Sequence, residues 1–143
     1  MKTSSTGRAF IRDAEGEELT TYRCSAGVPT IGVGHTGPDV KMGMTITKAQ
    51  SETLLVADLA RFEKAVATAI KVPLTQNQFD ALVSLAFNIG SNAFAKSTLV
   101  RVLNGGHYDQ VGAQLARWNR VDGKPNKGLT ARRAREAALF VKP

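Results

Sequence analysis

The feature that most constrains this chain is a stripe of apolar residues, Leu55, Leu59, Phe62, Val66 and Ile70, spaced four, three, four and four apart. That period is helical. Thr45 or Thr47 offers a start and Pro73 a stop, so the stripe predicts one helix over about residues 47–70. At about 1.5 Å per residue, such a helix is on the order of 35 Å long. That length suits a strut joining two lobes, with separate material at each end.

Beyond the strut the pattern stays helical. Thr75 is placed to cap the next helix, with Gln78 at the capping-box position. From Phe79 to Ile89 that helix is apolar nearly all round, as a buried helix is, and Gly90 closes it. A further helix is predicted over about 93–103, ended by Asn104-Gly105-Gly106. Tyr108, Val111, Leu115 and Trp118 form another stripe, residues 122–128 read as a loop, and Thr130 as the cap of a last helix. Before the strut, Phe10, Ile11 and Ala14 recur at helical spacing and Gly16 supplies a stop. Residues 19–23 and 30–33 are strand-like, joined by the turn chemistry of Ser25-Ala26-Gly27-Val28-Pro29. Residues 36–44 read as a loop, and the polar, small residues 1–7 as a frayed end. The expected fold class is therefore α+β and mostly helical. It is a single domain over 1–143, with a hairpin lobe at about 15–50, a linking helix at about 47–70, and a helical lobe at about 71–143 that takes in the helix at 7–15.

At 43% hydrophobic the chain has enough apolar content for a core, and no apolar run approaches the roughly 20 residues of a membrane span. The N-terminus reads as neither signal peptide nor anchor. A single cysteine excludes an internal disulfide, and with two distant histidines it makes no metal-ligand spacing. No metal and no cofactor are expected. Residues 1–95 hold nine basic and nine acidic side chains, whereas residues 96–143 hold ten against three. The whole net charge of +7 thus lies in the last third, which implies a polyanionic partner.

Chemistry concentrates between Glu15 and His35. Glu15 stands beside Gly16 at a predicted helix end, Cys24 follows nine residues on, and Thr30 six after that, within Thr30-Ile31-Gly32-Val33-Gly34-His35. An acid, a thiol and a hydroxyl should then meet at one helix–hairpin junction. A helix C-terminus carries partial negative charge, which favours the protonated carboxyl and suits it to general-acid work. On residue type alone, Glu15 with Glu17 and Glu18 is a solvated acidic run, Cys24 a small buried hydrophobe and Thr30 a strand former.

The spacing as a whole resembles the phage-type lysozymes, the endolysins of glycoside hydrolase family 24. Their motif is a Glu, an Asp or Cys nine residues later, a Thr six after that, and then Ile-Gly-x-Gly-His. Phe87-Asn88-Ile89-Gly90, Arg117-Trp118-Asn119 and Gly128-Leu129-Thr130-Ala131-Arg132-Arg133 are similar to that family too, and the likeness covers about residues 8–141. It implies peptidoglycan bound in a cleft between two lobes, and hydrolysis of the β-1,4 bond between N-acetylmuramic acid and N-acetylglucosamine. It also implies Glu15 as proton donor, Cys24 in the place of a second carboxylate, and Thr30 near the attacking water or the anomeric carbon. Asn88, Trp118 and Arg132 are the implied substrate-binding residues. Arg132 matches a position that approaches the catalytic Glu, and His35 and Asp58 match positions that meet. Cys24 remains open as base, nucleophile or spectator. As a thiolate it would want a nearby cation, for which the C-terminal arginines are candidates. Arg132, Arg133 and Arg135 otherwise read as a solvated basic face that could contact anionic wall or outer-membrane polymers.

The resemblance further implies a monomer that stays in the host cytoplasm until a holin pore releases it to the periplasm and cell wall. Three other functions are weighed beside it. Cys24 with His35 could cut peptide cross-links. A basic helical protein could bind nucleic acid through residues 72–90, although Phe79, Leu82, Val83 and Leu85 leave no polar reading face. The same cleft could also serve an inactive wall-binding module.

Overall fold

A computed structural model describes residues 1–143. Its axis is helix α2, Lys48–Ala69, opened by a full capping box in which Thr47 and Gln50 satisfy each other's backbone donors. Leu55, Leu59, Phe62 and Val66 are buried along one side, and Ile70 caps the end. The helix stops three residues short of Pro73. There the Asn104 side chain takes the Lys71 N–H at 2.7 Å and donates to the Ala69 carbonyl at 2.9 Å, which replaces the helical partners lost at the stop.

At the N-terminal end of α2 sits the small lobe. Strands β1 (Glu18–Arg23) and β2 (Pro29–Gly32) pair antiparallel, with a bulge between Glu18 and Tyr22. Thr20 bridges Thr45, so the segment entering α2 lies along the outer edge of β1. Gly32, at a φ of 66°, lets the chain turn back so that Ile31 and His35 exchange backbone hydrogen bonds. His35 then stands between two carboxylates, with Nδ1 2.7 Å from Asp58 on α2 and Nε2 2.9 Å from Asp39. Burial pushes the imidazole toward its neutral form, but the two carboxylates together outweigh it and raise its pKa.

At the other end lies the helical lobe, built around α3 (Gln76–Ile89). Thr75 and Gln78 form its capping box and Gly90 ends it. Residues 79–86 are buried without a break, since α3 packs against α2 and against the helices at Ser5–Glu15, Ser91–Ala95 and Lys127–Val141. This complete cover rules out the reading in which α3 lies in a nucleic-acid groove. Around it stand α4 (Ser91–Ala95), α5 (Thr98–Asn104), α6 (Val111–Ala116) after a 3₁₀ turn at Tyr108–Gln110, and α7 (Lys127–Val141).

Four expectations are corrected here. The N-terminus is not frayed. Thr3 is buried and gives its N–H and hydroxyl to Glu63 at 2.7 Å, while Ser4 caps helix α1 (Ser5–Glu15) and bonds to the buried Asp80 of α3. The predicted helix over 93–103 is two helices, because Ser97 leaves helical geometry and turns its hydroxyl to the Val100 N–H as a fresh cap. The loop at 122–128 contains a hairpin, β3 (Arg120–Val121) with β4 (Lys124–Pro125), turned by Asp122 and Gly123 at positive φ. The last helix is capped by Asn126 rather than Thr130, whose hydroxyl bonds back to the Asn126 carbonyl inside the first turn.

The anchoring of α1 makes Gly7 a point of close approach. A Cβ there would lie 2.5 Å from Asp80 Cγ, and Asp80 is held by Ser4 and Gln76 and cannot retreat. A glycine-to-alanine change inside a helix ordinarily gains about 0.5–1 kcal/mol. Gly7→Ala will instead lose about 1–3 kcal/mol to overpacking, read as a lower urea midpoint at unchanged slope. His35 supplies a pH signature. Its raised folded pKa means that its stabilisation is fully present below the free imidazole value of about 6.5 and fades as pH rises through the folded value. His35→Asn will cost about 1.5–3 kcal/mol near pH 6, and the gap to wild type in thermal midpoint will narrow as the pH is raised.

Candidate active site

Glu15 is the last residue of α1, and Gly16 follows at a φ of 82° to take the chain sharply away into β1. Both sides of this corner are tied down. Arg12 pairs with Glu52 and lies 3.6 Å from Glu17, and Glu17 accepts from the buried Ser51 at 2.7 Å. Arg8 adds a second contact to Glu52 at 2.5 Å. The corner that carries Glu15 is thus fastened to the first turns of α2.

The Glu15 side chain is one-quarter exposed, and its Oε2 accepts from Arg132 Nη1 at 2.8 Å. Arg132 comes from α7 and is 4% exposed. Its other nitrogens go inward: Nη2 donates to the Ser84 carbonyl at 3.1 Å and its hydroxyl at 3.3 Å, and Nε to Glu136 at 3.3 Å. Arg132 therefore holds Glu15 in place and is all but closed to solvent, which favours a positioning role over the expected contact with substrate.

Arg133 is likewise no part of a solvated face. It is 1% exposed, lies 2.9 Å from Glu136 Oε1, and donates from Nη2 to Asn88 Oδ1 at 2.7 Å. Desolvation lowers its pKa, with Glu136 opposing, and desolvation raises that of Glu136, with both arginines opposing. Arg135 alone of the three is exposed.

Cys24 follows β1 at the mouth of the turn and is partly exposed, so it is not a core residue. The thiol pKa is lowered, chiefly by backbone N–H groups of Val28 and Ala26, against some burial. The arginines expected to do this are absent from its surroundings. The hairpin turn supplies the positive end of the field instead. Thr30, on β2, is 3% exposed, and its hydroxyl donates to the Val28 carbonyl at 2.9 Å, in the same turn. Tyr22 connects this group to Glu15. Burial first, then Glu18, Cys24 and Glu15, raise its pKa, so the thiol and the acid act on one phenol.

On the helical side, Asn88 lies in the last turn of α3 with its side-chain oxygen fixed by Arg133. It lines a depression of about 430 Å³ with Ile89, Arg117, Trp118, Arg120 and Leu129. Trp118 packs one side on the core and forms part of this wall, as well as that of a second depression of about 440 Å³. Glu136 and Ser84 were not singled out from the sequence. The usable signal was the spacing of Arg132, Arg133 and Glu136, since residues three and four apart meet on a helix face.

A two-lobed α+β chain with a carboxyl at a helix end, followed directly by a hairpin that carries a thiol and a hydroxyl, has the architecture of a lysozyme-like hydrolase. The sequence model of the phage lysozyme family matches residues 12–136. The endolysin of Salmonella phage P22 is 47% identical over 99% of both chains. A crystal structure of a P22 lysozyme variant superposes with a TM-score of 0.94 at 46% identity, covering 99% of each chain. The muramidase domain of SpmX from Asticaccaulis excentricus does so at 0.92 and 36%, again over 99% of each. The chain belongs to the phage lysozyme family.

The turn geometry gives a direct expectation for the thiol. Alkylation of Cys24 by iodoacetamide will rise with pH through a midpoint below the value of about 8.5 for a free cysteine. A midpoint at or above the free value would show that the Val28 and Ala26 N–H groups do not reach the sulfur.

Proposed function

We propose that this phage lysozyme cleaves the β-1,4 bond between N-acetylmuramic acid and N-acetylglucosamine, with Glu15 as the proton donor to the leaving oxygen. As a member of its family the chain is a peptidoglycan-hydrolysing endolysin. The observation that carries the finer reading is Glu15 itself, held at the end of α1 by a buried guanidinium and left partly open to solvent. A fixed, accessible carboxyl is what general-acid catalysis needs.

Cys24 is read as the partner that deals with the anomeric carbon. The Val28 and Ala26 N–H groups favour its thiolate. That anion can draw a proton from water in an inverting reaction, or attack carbon in a retaining one. Thr30, with its proton committed to Val28, is left with lone pairs to accept from water. Asn88, its oxygen taken by Arg133, has its amide N–H₂ free to donate, which suits an acetamido carbonyl, and Trp118 offers a flat wall to a sugar.

A Cys–His peptidase is disfavoured by His35, whose two ring nitrogens both face carboxylates and so leave none for the thiol. Eight exposed cations, Lys96, Arg101, Arg117, Arg120, Lys124, Lys127, Arg135 and Lys142, remain for the anionic polymers of the wall. No helix is long and apolar enough to cross a membrane. Action as a monomer and release through a holin pore complete the proposal.

Clearing of purified peptidoglycan tests the assignment. Glu15→Gln will reduce the rate by about a hundred- to ten-thousand-fold, and Cys24→Ser will also abolish most of it. Digests by the wild type will carry new reducing N-acetylmuramic acid ends. Full activity in Cys24→Ser would leave water activation to Thr30, and cut peptides would overturn the glycosidase assignment.

A further inference from the structure

The mechanism above leaves one buried ionisable group without a task. Glu136 of α7 is 0% exposed. Its Oε2 accepts from Ser84 Oγ at 2.5 Å and from Arg132 Nε at 3.3 Å, and its Oε1 lies 2.9 Å from Arg133 Nε without an aligned hydrogen bond. The guanidinium of Arg132 therefore serves two carboxylates, Glu136 through Nε and Glu15 through Nη1. Replacing a buried ion pair by well-packed apolar residues is often neutral or stabilising, so stability alone is a weak account of this cluster.

We propose that Glu136 is a positioning residue for the glycosidase reaction: it draws on the Arg132 guanidinium from the far side and so keeps that guanidinium from stripping Glu15 of its proton. The inference rests on the reading of Glu15 as the general acid. An undivided guanidinium 2.8 Å from a carboxyl strongly favours the ionised form, which is useless as an acid. An ionised Glu136 behind the same guanidinium offsets that pull. The surrounding charges are few. Arg133 stands on the same helix, is itself faced by Glu136 and also lies within the field of Glu15. From α3 come the neutral Ser84 and Asn88 and, one turn before Ser84, Asp80, which is committed to Ser4 and Gln76. On the hairpin side Tyr22 lies within the fields of Glu15, Glu18 and Cys24. Glu136 is thus the one group placed to moderate Arg132 from inside the lobe.

Rate against pH on purified peptidoglycan, beside carbon-13 titration of the Glu15 carboxyl, tests this. Glu136→Gln keeps the shape and an acceptor but removes the charge. Its alkaline limb will move to lower pH by about one unit, with the Glu15 carboxyl titrating lower by a similar amount. The rate will consequently fall several-fold more near neutral pH than in mild acid. Glu136→Asp, which keeps the charge, will have its limb closer to that of the wild type. An unmoved limb in Glu136→Gln with a uniformly scaled rate would overturn the proposal and leave Glu136 structural. Should Glu136→Gln fail to fold, Glu136→Asp decides: drawing the carboxylate back from Arg132 Nε will move the alkaline limb part of the way to lower pH, and an unmoved limb would overturn the proposal. Glu15→Gln separates the two claims, since full activity in that variant would remove the acid role whatever the titrations show.

Discussion

The interaction on which the rest of the structure depends is the buried guanidinium of Arg132, which reaches from α7 to the end of α1 and touches α3 on the way. Three helices far apart in sequence meet at one planar cation. A charge 4% exposed must be compensated where it stands, because no water is there to do it. The Ser84 carbonyl, Glu136 and Glu15 supply that compensation with fixed directions, and the guanidinium fork suits planar partners. Fixing Arg132 therefore fixes Glu15, and the orientation of α7 on α3 becomes part of the site. Arg133 extends the same logic to Asn88, so one turn of α7 fixes two side chains, one at the end of α1 and one in the last turn of α3.

Around this cluster, polar contacts orient and apolar contacts stabilise. The core of Leu55, Leu59, Phe79, Leu82, Leu85 and their neighbours carries the folding free energy, since each fully buried aliphatic or aromatic side chain contributes about 1.5–3 kcal/mol. Few of those residues touch the site. What they supply is a rigid α3, against which α1 is set by Ser4 and Asp80 at one end and by the Arg132 contact at the other. The Arg12–Glu17–Ser51 and Glu52 contacts then fasten the corner after Glu15 to α2. Glu15 is in this way attached to both lobes, although it belongs to a helix packed on only one of them.

Much of this was legible in sequence where a local rule decides. The α2 stripe, the Thr75/Gln78 capping box, the glycine stops at 16 and 90 and the hairpin turn before Thr30 all follow from nearest-neighbour chemistry, and the structure agrees. The misses share a different cause. The N-terminal residues look disposable until Asp80 and Glu63, more than fifty residues away, give them partners. Arg132 and Arg133 look solvated because a lone arginine normally is. Their burial depends on Glu136, Ser84 and Asn88 arriving together, and only the i+3/i+4 spacing of Glu136 was visible beforehand. The Asp122-Gly123 turn was a local signal passed over in favour of a loop, since flanking strands of two residues show no alternation.

The thiol shows most clearly how the fold makes chemistry from unremarkable parts. Nothing in the sequence around Cys24 is basic enough to stabilise an anion except Arg23, and Arg23 turns its guanidinium to the Gly27 carbonyl. The stabilisation comes from the backbone of the turn, where the N–H groups of Ala26 and Val28, one residue apart, favour an anion at the position after β1. A site built from main-chain donors is indifferent to whether the anion is a thiolate or a carboxylate, because the donors respond to charge and not to the atom that bears it. The division of labour follows the fold: the end of α1 and a buried arginine hold Glu15 in place, and a five-residue turn favours a negative charge on Cys24.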